Sequence, residues 1–172
     1  IDVYRVKLPL RFVWKTSYGD QSSTDTILVR IEGGGQEAWG ESCPMFIPAY
    51  SAEHTLATFH TLREHMVPRI IGQDIETARD LLDRLAFIKG NQFARAALDI
   101  AWWVLDAKRR GLPLHVALGG TRDRVRVGAD FGVQDSLDIL IQKIQGAIDQ
   151  GFPRIKLKFR PGWDLNMVAA VR

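Results

Sequence analysis

The sequence predicts an α+β domain built from an antiparallel sheet and a bundle of helices, followed by a βαβα stretch of the kind that forms parallel sheets. Three observations carry this reading: apolar alternation opens the chain, capped helical spacing takes over in its middle, and the tail reads strand, helix, strand, helix.

Ile1, Val3, Val6 and Leu8 alternate with one slip and predict a first strand, and TDTILVRIEG at 24–33 predicts a second. Between them WKTSYGDQSS reads as polar and flexible. GGG at 33–35 turns the chain into QEAWGES, so the strands on either side of it are expected to be antiparallel neighbours. CPMFIPAY, with its two prolines, fits neither period. Ser51 is then placed to cap a helix carrying Leu56, Phe59, Leu62 and Met66 on one face, and Asp74 a second running through Leu81, Leu82 and Leu85. Asn91 opens a third in which Phe93, Ala96, Ala97, Ile100, Val104 and Ala107 keep helical spacing until Gly111 and Pro113 stop it. In the tail RVRVGADFG predicts a strand, Asp135 and Ser136 open the helix LDILIQKIQGAI, and IKLKF predicts a second strand. RPGWD then supplies a turn, with Asp164 capping a last helix.

Of the 172 residues 46% are hydrophobic and 25% charged, enough apolar surface for a sizeable core. The net charge of +3 comes from interspersed side chains, so no nucleic-acid partner is expected. DAKRRG at 106–111 is the densest basic cluster, but it ends a helix, where cations complement the dipole. Cys43 is the only cysteine, which excludes an intrachain disulfide and suits a reducing, cytoplasmic compartment. No apolar run approaches the roughly 18 residues of a spanning helix, so no membrane partner is expected. His54 and His60 do not share a helix face, and His65 and His115 have no evident partner, so none is read as a metal ligand. GGG and the later GG lack the strand, glycine loop and lysine of a phosphate site.

RIKLKFRPGWD at 154–164 raises the chemical question. Ile155, Leu157 and Phe159 share one face of the strand, Lys156 and Lys158 the other. An open sheet would leave both lysines in water. A parallel strand in a closed barrel points them at the axis, with Lys158 nearer the C-terminal end, where barrel enzymes carry their sites. There the deeper Lys156 would disfavour a proton on Lys158 through like-charge repulsion, making Lys158 a general base.

PLRFVWKTSYGDQS, AWGESCPMFIPAYSAE, VRVGADFGVQD and above all RIKLKFRPGWD resemble, in order and spacing, the muconate-lactonising subgroup of the enolase superfamily. The o-succinylbenzoate synthases and N-acylamino acid racemases are most alike. The resemblance implies a capping domain over residues 1–120 and, over 121–172, the first two βα units of a TIM-like (β/α)7β barrel whose remaining units are absent from this chain. It implies Lys158 as the acid/base lysine of the second barrel strand, with Lys156 as its partner near the substrate carboxylate. Trp14 and Tyr18 fall on one, and Met45 and Tyr50 on the other, of two capping loops that close over substrate.

Asp130 stands where relatives carry a small hydroxyl residue. Facing the pocket, it would favour a cationic or hydrogen-bond-donating substrate; it could equally be tied to a neighbouring base. A divalent metal, magnesium, is also implied, its carboxylate ligands expected beyond Arg172, so no metal-binding residue is assigned here. The chain is accordingly expected to be the N-terminal portion of a longer polypeptide and inactive by itself. The implied enzyme is a cytoplasmic, homo-oligomeric lyase or isomerase acting on a small carboxylate. It would act by dehydration to o-succinylbenzoate in menaquinone biosynthesis or by racemisation of an N-acylamino acid. Other readings are a dipeptide epimerase or cycloisomerase of the same subgroup, a Schiff-base aldolase barrel, and a non-catalytic N-terminal fragment.

Overall fold

In the computed structural model, which describes residues 1–172, two β-strands, β1 (Asp2–Thr16) and β2 (Gly19–Gly33), form a long hairpin, and β3 (Gln36–Ser42) completes an antiparallel three-stranded sheet in the order β1-β2-β3. The segment WKTSYGDQSS is therefore not a flexible link: both strands run on through it to a tight turn at Ser17 and Tyr18. Polar strands persist where the ladder supplies their backbone partners. The turn itself is fixed by the Thr16 hydroxyl donating to the Gly19 carbonyl at 2.8 Å, with Gly19 at φ +129°. The turn into β3 uses Gly34 and Gly35, both at positive φ, and sets a register in which Val29 faces Gly40 and Ile31 faces Ala38.

The chain divides into two compact units. The first comprises Ile1–Leu8 and Thr24–Thr121. Its helices are α1 (Thr55–His60), a wider π-helical stretch Thr61–Met66, α2 (Val67–Ile70), α3 (Ala78–Leu85), α4 (Gln92–Arg109) and α5 (Leu114–Ala117). Pro68 accounts for the widening, because it has no N–H to offer the carbonyl one turn back and its ring would collide with that carbonyl in an ordinary turn. The first helix begins at Thr55 rather than after Ser51, whose hydroxyl is spent on the Glu53 carbonyl. The third is capped by Thr77, not Asp74, through a reciprocal box with Asp80.

Helix α4 lies against β3. The contact is close because Gly40 presents no Cβ to it and Ala97 and Ala101 present only methyls. Its buried face is Ala94, Ala97, Leu98, Ala101, Trp102, Leu105 and Ala107; of the expected face Ala97 and Ala107 are buried, while Phe93, Ala96, Ile100 and Val104 are not. Both stripes have helical spacing, and close approach to the sheet selects the one with small residues. Ile27, Val29, Leu62, Met66, Leu81 and Leu85 fill the core between sheet and helices. Each is worth about 1.5–3 kcal/mol relative to exposure. Asn91 starts α4 in the left-handed region at φ 54° without a side-chain cap, and the Glu53 carboxylate accepts from the Phe93 amide at 3.0 Å instead. At the other end the basic cluster is engaged locally: Lys108 donates to the Glu37 carbonyl and Arg110 pairs with Asp106.

The second unit comprises the hairpin tip, Pro9–Ser23, and Arg122–Arg172. It holds β4 (Ala129–Phe131), α6 (Leu137–Asp149), β5 (Ile155–Leu157) and α7 (Asp164–Val171). The two strands pair in parallel, Ala129 with Ile155, Asp130 with Lys156 and Phe131 with Leu157. Both are shorter than their apolar patterns predict: Val125 and Val127 are exposed, and Lys158 and Phe159 lie past the end of β5. Ser136 caps α6 by accepting from the Ile139 amide at 3.3 Å. Asp164 is the first residue of α7 rather than its cap, its carboxylate turned back onto the Arg160 amide. Val133, Leu140, Ala147 and Met167 are the buried apolar residues of this unit.

Candidate functional site

The parallel pair β4 and β5 positions the two lysines. Lys156 is the register partner of Asp130, and its ammonium nitrogen lies 3.1 Å from Asp130 Oδ2. That hydrogen bond, and then the carboxylate's charge, raise the Lys156 pKa above the ordinary lysine value; loss of hydration opposes them, and a hydrogen bond with Lys158 adds to the rise. Lys158 continues the strand direction, its amide donating to the Phe131 carbonyl at 3.1 Å. Its side chain turns onto the hairpin tip, the nitrogen 5.9 Å from the centroid of the Trp14 ring. Depth runs opposite to the expectation from the sequence. The Lys156 side chain is 60% exposed, reaching out to an Asp130 that is itself 37% exposed, while Lys158 is half-buried.

Trp14 is held in place from both sides. Phe12 packs on it at 6.2 Å between ring centroids, and the next residue, Lys15, accepts from the Val133 amide at 3.1 Å and pairs its ammonium with Asp135. The Lys15 hydrogen bond holds the Asp135 carboxyl below its ordinary value. A cavity of about 510 Å³ opens beside this latch, with Phe12, Trp14, Lys15, Asp130, Gln134 and Lys143 among its lining. The Gln134 amide spans it locally, accepting from Lys143 at 2.6 Å and donating to the Gly132 carbonyl at 2.7 Å.

The structure thus brings Lys158 to Trp14 and Lys156 to Asp130. Tyr18 sits at the hairpin turn, its amide on the Thr16 hydroxyl at 3.4 Å, with about half its side chain exposed. Met45 and Tyr50 belong to the first unit. Met45 is half-buried and its carbonyl receives the Thr55 amide at 3.0 Å; Tyr50 is exposed. The Lys15 and Asp135 latch has no signal in the sequence, because nothing local connects residues at opposite ends of the chain.

A divalent metal would need a cluster of carboxylate or imidazole ligands. No three His, Cys, Asp or Glu side chains of this chain are gathered closely enough to hold one, and the carboxylate nearest the lysines is committed to Lys156. The residues present do not form the metal site that the resemblance implies. No helix is long and apolar enough to cross a membrane.

Residues 1–119 match the family described as Mandelate racemase / muconate lactonizing enzyme, N-terminal domain. Over 168 residues the chain is 38% identical to an o-succinylbenzoate synthase of Geobacillus kaustophilus, covering 97% of this chain and 45% of that protein. An N-succinylamino acid racemase of Thermus thermophilus is 37% identical over 167 residues, with 97% and 45% covered. A solved enolase-superfamily structure from Listeria innocua superposes with a TM-score of 0.89 at 30% identity, covering 99% of this chain and 46% of that one. The chain therefore spans a little under half the length of the relatives it matches. On the family match and the fold together, this chain belongs to the mandelate racemase / muconate lactonizing enzyme family of the enolase superfamily.

Proposed function

We propose that this chain carries the base of an enzyme that abstracts the proton alpha to a carboxylate, and that Lys158 is that base. The observation behind the proposal is the setting of the Lys158 amine. It is half-buried, just past the C-terminal end of a parallel strand, under an aromatic ring and beside a second, ion-paired lysine. In barrels of parallel strands this end is where substrate is met. The lone pair of the Lys158 nitrogen takes the hydrogen, the carbon–hydrogen bond breaks, and its electron pair moves into the carboxylate, giving an enediolate. Lys156, kept charged by Asp130, places positive charge beside the reacting centre, where it offsets the negative charge that gathers on the enediolate oxygens. The Trp14 ring excludes water from one side of it.

From the enediolate, loss of a hydroxyl group from the adjacent carbon is dehydration, and return of a proton to the opposite face is racemisation. Relatives are named for each outcome. The substrate class is a small carboxylate, with N-succinylamino acids and the hydroxylated precursor of o-succinylbenzoate as the compounds to test.

The test is exchange of the substrate alpha proton with solvent deuterium in the full-length enzyme. Lys158→Ala abolishes it, and Lys158→Arg does not restore it, because a guanidinium does not release its proton. Exchange retained in Lys158→Ala overturns the assignment.

A further inference from the structure

Asp130 and Lys156 are partners in the parallel register of β4 and β5, and their side chains close an ion pair of 3.1 Å on the face along which Lys158 follows two residues later. We infer that Asp130 is a positioning residue, one that fixes the Lys156 ammonium beside Lys158 as a permanent cation and hydrogen-bond donor and does not itself bind substrate. The inference rests on the reading of Lys158 as the base.

From the sequence, a carboxylate at this pocket either favours a cationic or hydrogen-bond-donating substrate or is tied to a neighbouring base; the ion pair with Lys156 favours the second. The Asp130 oxygen is taken by Lys156, which also has a hydrogen bond with Lys158 and the charge of Arg154 on its own segment beside it, while Lys15 on the hairpin is engaged by Asp135. Arg154 works to drive the proton off Lys156, and Asp130 outweighs it. Without Asp130 the Lys156 amine would be free to swing away and would lose its proton more readily. The surplus positive charge that remains suits an anionic substrate.

The experiment compares wild type, Asp130→Asn and Asp130→Glu in the full-length enzyme, with two readouts. The first is the pH profile of alpha-proton exchange on an N-succinylamino acid. The second is the NMR titration of carbon-13-methylated lysines, with the Lys156 signal assigned by its loss in Lys156→Arg. A neutral residue at 130 removes the group that raises Lys156. In Asp130→Asn the Lys156 signal therefore titrates lower, and the alkaline limb of kcat moves down, each by about half a pH unit or more, with KM changed less than about twofold. Asp130→Glu keeps the limb in place.

If Asp130→Asn fails to fold, raising the ionic strength over wild type screens this half-exposed pair and lowers the same Lys156 midpoint. A KM increase of about tenfold with an unmoved profile makes Asp130 a substrate contact and overturns the inference, as does a Lys156 titration indifferent to residue 130 or to salt. Exchange surviving in Lys158→Ala sinks the base assignment alone. The methyl-lysine titration needs no turnover and still judges the Asp130 and Lys156 pairing.

Discussion

The Lys158 amine stands 5.9 Å from the centre of the Trp14 ring, a contact between the hairpin tip and the end of the last strand. A ring face attracts a cation and, equally, walls it from water, so the indole both steers the lysine and dries one side of it. Replacing Trp14 with Ala in the full-length enzyme lowers kcat/KM for alpha-proton exchange by about tenfold, and Phe, which keeps the ring face, recovers most of that. Steady-state exchange kinetics check it; a Trp14→Ala rate equal to wild type would leave Trp14 without a part in the chemistry.

Gly40 is where α4 comes closest to the sheet. A Cβ there would sit 2.7 Å from the Ala101 nitrogen and collide with the Ala97 carbonyl oxygen, both of them helix backbone that cannot turn aside. Gly40→Ala therefore destabilises the protein by about 2–3 kcal/mol. Gly146, in the interior of α6 with open space at its Cβ, is the contrast, and Gly146→Ala is stabilising by about 0.5–1 kcal/mol. Urea unfolding midpoints of the two variants separate in opposite directions from wild type.

Periodicity makes the order of elements legible, and also Lys156 and Lys158, because two lysines on one face of an apolar strand break a pattern that is visible locally. What periodicity does not report depends on partners distant in sequence. The buried face of α4 keeps Ala97 and Ala107 of the expected one but is turned away from Phe93 and Ile100, which are more apolar than Ala101, because only Ala97 and Ala101 allow the approach to Gly40. The hairpin tip reads as a loop because strand structure in polar sequence comes from the ladder and not from burial. Asp130 is visible as an oddity, but its pairing with Lys156 follows from the parallel register, which the sequence does not state. The expected caps are displaced for a simpler reason: Ser51, Asp74 and Asp164 each have a competing cap or backbone partner within a few residues.

The start of α3 predicts a pH effect. Thr77 accepts from the Asp80 amide at 3.1 Å, Asp80 accepts from the Thr77 amide at 2.9 Å, and these bonds from Thr77 hold the Asp80 carboxyl below its ordinary value of 3.8. A carboxyl lowered on folding contributes stability above its unfolded value, and that contribution is lost as pH falls through the lower folded value. Wild type should therefore exceed Asp80→Asn in melting temperature at neutral pH, the gap closing on acidification below about pH 4. Thr77→Ala costs about 1 kcal/mol by itself. A gap between wild type and Asp80→Asn that persists unchanged at low pH would mean that the ionised box is not its source.

The hairpin tip is fastened to the loop after β4 at Lys15, by its ammonium on Asp135 and by its carbonyl on the Val133 amide at 3.1 Å. The ion pair is open to water, since the Asp135 side chain is 75% exposed, so its contribution is small and sensitive to salt. The backbone bond is protected, because Val133 is only 3% exposed. Lys15→Ala removes the first and leaves the second to hold the tip. Hydrogen exchange of the Val133 amide then reports the fastening directly: it should quicken by about two- to fivefold in Lys15→Ala, and by a similar factor in wild type at high salt. The Leu140 amide, inside α6, should not respond to either. Asp135→Asn should match Lys15→Ala at neutral pH, and acidification should bring wild type toward both, because the Asp135 carboxyl is lowered by Lys15 and the pair is lost only as that carboxyl takes up its proton. Quickening at Val133 and Leu140 together would point to general loosening of the unit, whereas quickening at Val133 alone identifies Lys15 as the catch that keeps Trp14 over Lys158.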